Sequence, residues 1–284
     1  MKESHNINVC ANTVCLLLKE SGYSLQINHK KIEINRVLTK EERYQRNQQF
    51  LYIEKQRQYF SKNKFIIISV DAKKKEHIGN FINKGSCWVK NKKGVYAYDY
   101  PSWASGVAIP FGVYDIPHKY GLVNIGTSCN TGEFAVNSIQ QYYETFGKKS
   151  YQNNKKMLIL ADSGGSNGCR LKLWKYGLQH EICNRFGIEV TVAHYPTGTS
   201  KYNLIEHLLF CHISNNWAGN PLIDYETMLN YISTTTTKTG LSANAILDKN
   251  IYEKGIRITK KQMDDLNIEF YDKNPKWNYT IYPN

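Results

Sequence analysis

The sequence predicts a mixed α/β layer fold, and two observations carry that expectation. Short apolar runs rich in β-branched residues recur along the chain, two of them ending in aspartate. From residue 131 onward such runs alternate with stretches whose apolar residues fall three or four apart, the spacing of a buried helix face. The N-terminal part reads differently. Residues 8–21 predict a helix with Val9, Val14, Leu17 and Leu18 leaning to one side, and Gly22 supplies a stop just past its end. A linker, GYSLQINHKKIEINRV, follows. Thr39 to Glu42 then fits a capping box and opens a Gln- and Arg-rich helix to about Phe60, expected as a solvated connector. From Lys64 the expected order is strand 65–70 ending in Asp71, strand 94–100, strand 120–126 and helix 131–146. Strand 157–161, ending in Asp162, comes next, before a Gly/Ser loop. Leu171, Trp174, Leu178, Ile182 and Phe186 mark another helix, closed by Gly187. Strand 188–193 and helices 203–214 and 224–232 complete the readable part. The run Thr234–Thr237 reads as a loop or cap, and the tail after Ile251 carries no interpretable motif.

Composition narrows the class. The chain has 284 residues, 41% of them hydrophobic, with 21 Tyr, 10 Phe and 5 Trp, too many large side chains for a disordered chain. No apolar run approaches the roughly 20 residues of a spanning helix, and the N-terminus lacks the apolar stretch of a secretory signal, so no membrane association is expected. Seven cysteines are scattered without a CxxC pair, which argues for reduced, mostly structural thiols in a cytoplasmic protein. Lys and Arg number 37 against 24 Asp and Glu, a formal charge of +13. Such a surplus favours polyanionic partners, nucleic acid foremost, and is by itself weak. Nearly half of it lies in the first 65 residues.

Three carboxylates stand out. Asp71 and Asp162 each end a core strand, and Glu206 opens the helix after the next strand, an arrangement suited to a ribonuclease-H-like sheet. Side chains at strand ends leave the core and face a crevice. Two aspartates and a glutamate converging there could hold two Mg²⁺ or Mn²⁺ ions about 3.5–4 Å apart and catalyse phosphoryl transfer. Any one of these residues alone is more often a turn or cap; three in register with one topology are less easily explained so. Lys73, Lys74 and Lys75 follow Asp71, where they serve either a nucleic-acid phosphate or a solvated face. The loop 162–168 offers backbone N–H groups but lacks both the Walker and the Rossmann patterns. Asn203, Glu206 and His207 are expected on one helix face. His207, and His194 at a strand end, could line the site or simply pack.

Six blocks tie these residues to a known family: SVDAKKKEHIGNF (69–81), IPFGVYD (109–115), ILADSGGSNGCRLKLWK (159–175), HYPTGTSKYNLIEHLLF (194–210), NWAGNPL (216–222) and TTTTKTGL (234–241). Together they resemble the DDE transposases of the ISAzo-type insertion-sequence family, relatives of the mariner-like cut-and-paste enzymes. The resemblance runs from about residue 8 to the end. It implies a ribonuclease-H-like core, two Mg²⁺ (or Mn²⁺) ions, hydrolysis of double-stranded DNA at element ends, and strand transfer by the freed 3′-hydroxyl. Its catalytic and metal-binding triad falls on Asp71, Asp162 and Glu206, with Lys73, Lys74, Lys75, Lys201, Asn203 and His207 as candidate DNA contacts. Expected domains are a basic helical segment (1–63), a catalytic core (64–216) and a C-terminal extension bracing it (217–284). A homodimer on DNA and a nucleoid-associated location are expected as well. Two departures stand out. Residues 12–26 resemble only the last helix of a longer helix-turn-helix region, which implies N-terminal shortening, and Asn130 stands where the family places an aspartate. A catalytically silent DNA-binding remnant and a plain nuclease of the same fold are the alternatives.

Overall fold

In a computed structural model, residues 9–24, 38–152 and 154–284 are described. The chain divides into two units, Met1–Lys40 and Glu41–Asn284. In the first, helix α1 (Ala11–Glu20) is capped at its start by the Cys10 thiol. It stops where Gly22 turns to φ +80°, with the Tyr23 N–H donating to the Leu18 carbonyl. That conformation costs an L side chain but not glycine, so the sequence stop has a physical basis. Most of the expected linker, residues 25–37, lies outside the described residues.

The second unit holds one mixed sheet. Its strands are β1 (Ile66–Ala72), β2 (Glu76–Ile78), β3 (Gly106–Asp115), β4 (Tyr120–Gly126), β5 (Lys156–Ala161), β6 (Glu189–His194), β7 (Ser242–Asp248), β8 (Ile268–Phe270) and β9 (Asn278–Ile281). They lie in the order β7-β4-β3-β1-β5-β6-β9-β8, with β2 pairing β3. β3 is antiparallel to both β1 and β4, whereas β1, β5 and β6 run parallel. An antiparallel meander continued by parallel strands is the ribonuclease-H-like arrangement that the acidic residues suggested.

Helices cover both faces, as parallel strands buried on two sides require. On β1 the alternation sorts the layers. Ile66, Ile68 and Val70 pack with helices α3 (Gly132–Tyr142, widened into a π-turn at Tyr143–Gly147) and α4 (Lys172–Gly177, likewise continued at Leu178–Asn184). Each fully buried aliphatic there contributes roughly 1.5–3 kcal/mol. Ile67 faces the other way, with Leu158 and Leu160, toward Ile53 and Phe60 of helix α2 (Lys40–Lys62). Helices α5 (204–216) and α6 (Tyr225–Ser233) cover β3, β4 and β7.

Four expectations need correction. Helix α2 is not a solvated connector: Gln49, Ile53 and Phe60 are buried, and the Gln49 amide donates to the His194 carbonyl and to Asn278. The first unit therefore ends near residue 40, not 63. Residues 94–100 form no strand, because their alternation is of rings exposed to solvent rather than of a buried and a wet face. The missing central strand is 106–115, where Pro110 and Gly112 disguise a run that pairs with β2 over residues 106–108 and with β4 over residues 109–115. Finally, residues 217–284 do more than brace the core. β7 extends the sheet beyond β4, and β9 with β8 extends it beyond β6.

Candidate active site

Pairing places two of the three carboxylates side by side. Val70 on β1 pairs in parallel with Ala161 on β5, so Asp71 and Asp162 are the next residues out on adjacent strands. Neighbouring strands are about 4.8 Å apart. Glu206 reaches the same neighbourhood from the start of α5. That helix is tied to β1 by Ser69, whose hydroxyl donates to the Asn203 side-chain oxygen (2.8 Å) and accepts from the Ile205 N–H (3.3 Å). Ser69 and Asp71 share a face of β1, two residues apart. The Asn203 amide then donates to Asp71 Oδ2 at 3.0 Å, and the Ala72 N–H donates to Oδ1 at 2.8 Å. Gly112, opposite Asp71 on β3, lets the helix approach: a Cβ there would stand 2.6 Å from the Phe210 ring and 2.8 Å from Ile205.

The three carboxylates stand close enough for charge on one to act on another. Burial and then the Asp162 charge push the Asp71 carboxyl up to about 7, with Glu206 adding to the effect against the two hydrogen bonds. Asp162 is raised by burial and by Glu206. Like charges held together favour protonation of one member.

Asp162 is steadied from behind. His194 is fully buried, and burial holds its imidazole down at about 4, so the ring is neutral. Nδ1 lies 2.8 Å from the Asp162 carbonyl, which can only accept, so Nδ1 carries the proton. Nε2 then accepts from the Tyr279 hydroxyl (3.3 Å), and Tyr279 accepts from the Trp174 indole N–H (2.9 Å). The tail strand β9 thus helps fix a strand-end carboxylate 117 residues earlier in the sequence, a link no local motif announces.

The candidate DNA contacts divide. Lys74, Lys75, Lys201 and His207 are exposed, with the His207 ring against the Lys201 carbonyl. Lys73 is half-buried, 3.5 Å from Glu76 and 4.9 Å above the Trp217 ring. Asn203 is the correction. It is fully buried, precedes α5 rather than sharing its face with Glu206 and His207, and uses its amide on Ser69 and Asp71. Its role is to orient Asp71. Sequence reading missed Ser69, although its place two residues before Asp71 was the available signal.

Do these residues suit divalent metal? The donors are carboxylate oxygens, the ligand type hard cations prefer, and their mutual repulsion would be relieved by one. Beside them the turn Gly165–Asn167 buries Ser166 and Asn167 with the hydroxyl and both amide atoms unpaired, as is the Asn130 side-chain oxygen. Buried polar atoms of this kind call for water or ligand. Among the described residues, however, no three His, Cys, Asp or Glu side chains close into a ready cage. The set fits an ion that keeps water and phosphate oxygens in its shell.

Solved structures of similar chains are Mos1 transposase complexes. The paired-end complex with the left transposon end is 11% identical, with 78% of this chain and 61% of that chain covered and a TM-score of 0.48. The mariner Mos1 paired-end complex with Mg is 12% identical over the same shares, also at 0.48. The corresponding complex with Mn is 15% identical, with 78% and 62% covered, at 0.46. The chain thus spans about 61% of the length of these proteins, and similarity at this level carries no functional weight. No curated protein matches. The family is settled by sequence: residues 2–283 match the Rhodopirellula transposase DDE domain, and the chain belongs to that family of DDE transposases.

Proposed function

We propose that this chain cuts DNA at the ends of a mobile element by hydrolysis and joins the freed 3′-hydroxyl to target DNA. The observation that carries this reading is the coupling of Asp71, Asp162 and Glu206 at one end of adjacent strands, with the first raised to about 7. A site that collects negative charge favours divalent cations, here two Mg²⁺ or Mn²⁺. When bound, such ions activate water or a 3′-hydroxyl and stabilise the leaving oxygen. The protein's part is positional. Asp71, Asp162 and Glu206 present the oxygens, Asn203 orients the first, and His194 fixes the backbone of the second. Lys74, Lys75, Lys201 and His207 would meet DNA phosphates around them, with Lys73 more constrained. The +13 charge supports DNA affinity that falls steeply with salt. Two copies acting on paired ends, α1 as part of an end-recognition region, and a nucleoid-associated cytoplasmic location complete the proposal.

A second reading, a DNA-binding relative without catalysis, draws on the open spacing of the acids. Incubating a labelled duplex carrying the element's ends with Mg²⁺ or Mn²⁺ separates the two. Metal-dependent nicking that disappears in Glu206→Ala supports the transposase, and strand-transfer products complete it. Binding without nicking selects the second reading, and unimpaired nicking by Glu206→Ala removes Glu206 from the triad.

A further inference from the structure

Residues 79–105, between β2 and β3, contain one element of regular structure, the 3₁₀ turn Pro101–Trp103. They are nonetheless well anchored. The Gly79 N–H donates to the Leu222 carbonyl (2.8 Å), the Asn83 amide to the carbonyls of Trp217 and Asn220 (3.2 Å each), and Lys93 Nζ to the Asn220 side chain (2.8 Å). Within the segment the Tyr96 N–H donates to the Asn80 carbonyl, and the Asn80 amide returns a bond to Gly94.

On this frame stands a ladder of rings. Phe81 and Tyr96 have centroids 5.4 Å apart, Tyr96 and Trp103 5.3 Å, Trp103 and Tyr100 4.9 Å, and Tyr100 and Tyr98 5.5 Å. The first three contacts are edge-to-face, a geometry that holds each ring against its neighbour. The ladder is buried at its root, where Phe81 is 7% exposed, and open at its tip, where Tyr98 is 62% exposed. Trp88, in the same segment, is fully exposed. A fixed, wet aromatic surface contributes little to the core and is the kind of patch that marks a binding face.

Its charge says what binds. Lys84, Lys90, Lys92 and Lys93 stand against the single acid Asp99 within the segment. Aromatic faces interleaved with lysines suit a nucleic-acid strand, whose bases stack and whose phosphates are anionic. The position agrees. Lys74 and Lys75, three and four residues after Asp71 in the chain, line one cleft together with Glu76, Phe81, Asn83 and Asp99, so the root of the segment lies against the stretch that follows β1. We infer that residues 79–105 form a stacking platform for a single DNA strand leaving the carboxylate site, its bases on Trp88, Tyr98 and Tyr100 and its phosphates on Lys84, Lys90 and Lys92. The inference rests on the nucleic-acid reading of the carboxylate site and deepens it.

The test is fluorescence anisotropy of a labelled 20-nucleotide single strand, and of the duplex of the same sequence, in EDTA so that nothing is cut. The triple variant Trp88→Leu/Tyr98→Leu/Tyr100→Leu is expected to bind the single strand at least about tenfold more weakly with its salt dependence unchanged. Lys90→Gln/Lys92→Gln is expected to flatten that dependence by about 0.7 per lysine lost. Trp88→Leu alone, at a fully exposed position, guards against misfolding and is expected to abolish the quenching of 2-aminopurine placed in the strand. Single-strand affinity within twofold of wild type in the triple variant overturns the inference. So does a shift from oligomer to monomer in sedimentation with DNA affinity intact, which would make the ladder a contact between copies. Absence of nicking by the wild type would undo the catalytic reading and leave this binding result standing.

Discussion

Asp71 and Asp115 lie near the C-terminal ends of adjacent antiparallel strands, in runs that look alike as sequence, IIISVD and PFGVYD. Their surroundings are opposite. Asp115 is fully buried and accepts from the Tyr142 hydroxyl (2.5 Å), the Tyr151 hydroxyl (3.0 Å) and the His118 N–H (2.9 Å), with the His118 ring at 3.2 Å. Asp248, ending β7, is treated likewise by Asn124, Asn137, Tyr252 and the Asn250 N–H. Asp71 has two donors and two carboxylate neighbours. A buried carboxylate surrounded by donors holds the fold together, whereas one set beside other carboxylates is held against its own electrostatic preference. Burial alone does not separate the two acids; the company each keeps does.

The contrast can be broken from either side. The largest effect is expected on cleavage: Asp71→Ala, Asp162→Ala or Glu206→Ala should lower nicking by several orders of magnitude and leave duplex affinity nearly unchanged in a gel-shift assay. Asp115→Ala should do the reverse. It strands the buried Tyr142 hydroxyl and takes one partner from Tyr151, which keeps the His118 ring, so urea melts should show a loss on the order of 2–3 kcal/mol. An Asp115→Ala protein as stable as wild type would end the comparison.

His194 sharpens it further. His194→Leu removes the donor to the Asp162 carbonyl and should reduce nicking by about 10–100-fold while raising the Mg²⁺ concentration needed. His194→Asn, which can place an amide N–H near Nδ1, should recover much of that loss, a rescue that mere packing would not give.

A smaller effect concerns pH in the metal-free protein. The folded Asp71 group is raised from 3.8 to about 7, so its contribution to stability is complete below about 4 and is lost as pH rises through 7. Asp71→Asn should therefore melt higher than wild type at pH 8 and lose that advantage near pH 4, read by thermal denaturation in EDTA. Added Mg²⁺ should raise the melting temperature of wild type and not of Asp71→Asn.

How much of this was legible in the sequence follows from where the information lies. β1, β4, β5 and β6 were readable because short β-branched runs flanked by breakers are local signals. β3 was not, since Pro110 and Gly112 suit a particular ladder position and a close helix, facts set by partners distant in sequence. The tail strands β7 and β9 were invisible for the same reason: SANAILD and NYTI gain meaning only against β4 and β6. Strand ends and element order pick out Asp71, Asp162 and Glu206, and the fold brings these three near one another. Asn203 is misassigned by sequence, because a polar residue in the first turn of an expected helix reads as exposed, and only the fold shows it turned inward toward Ser69. Residues 94–100 read by alternation as a strand, though the rings of Tyr96, Tyr98 and Tyr100 contact one another and Trp103 rather than a core.

If Asp71, Asp162 and Glu206 hold a divalent cation, the ion can be mapped on the chain without relying on activity. Fe²⁺ substituted for Mg²⁺ in the presence of ascorbate and peroxide cuts backbone close to where it binds, and the fragments can be sized by mass spectrometry. Cuts clustered near residues 71 and 162, suppressed by excess Mg²⁺ and absent in Asp162→Asn, are the predicted result. Cuts elsewhere, or cuts unchanged by that substitution, would contradict it.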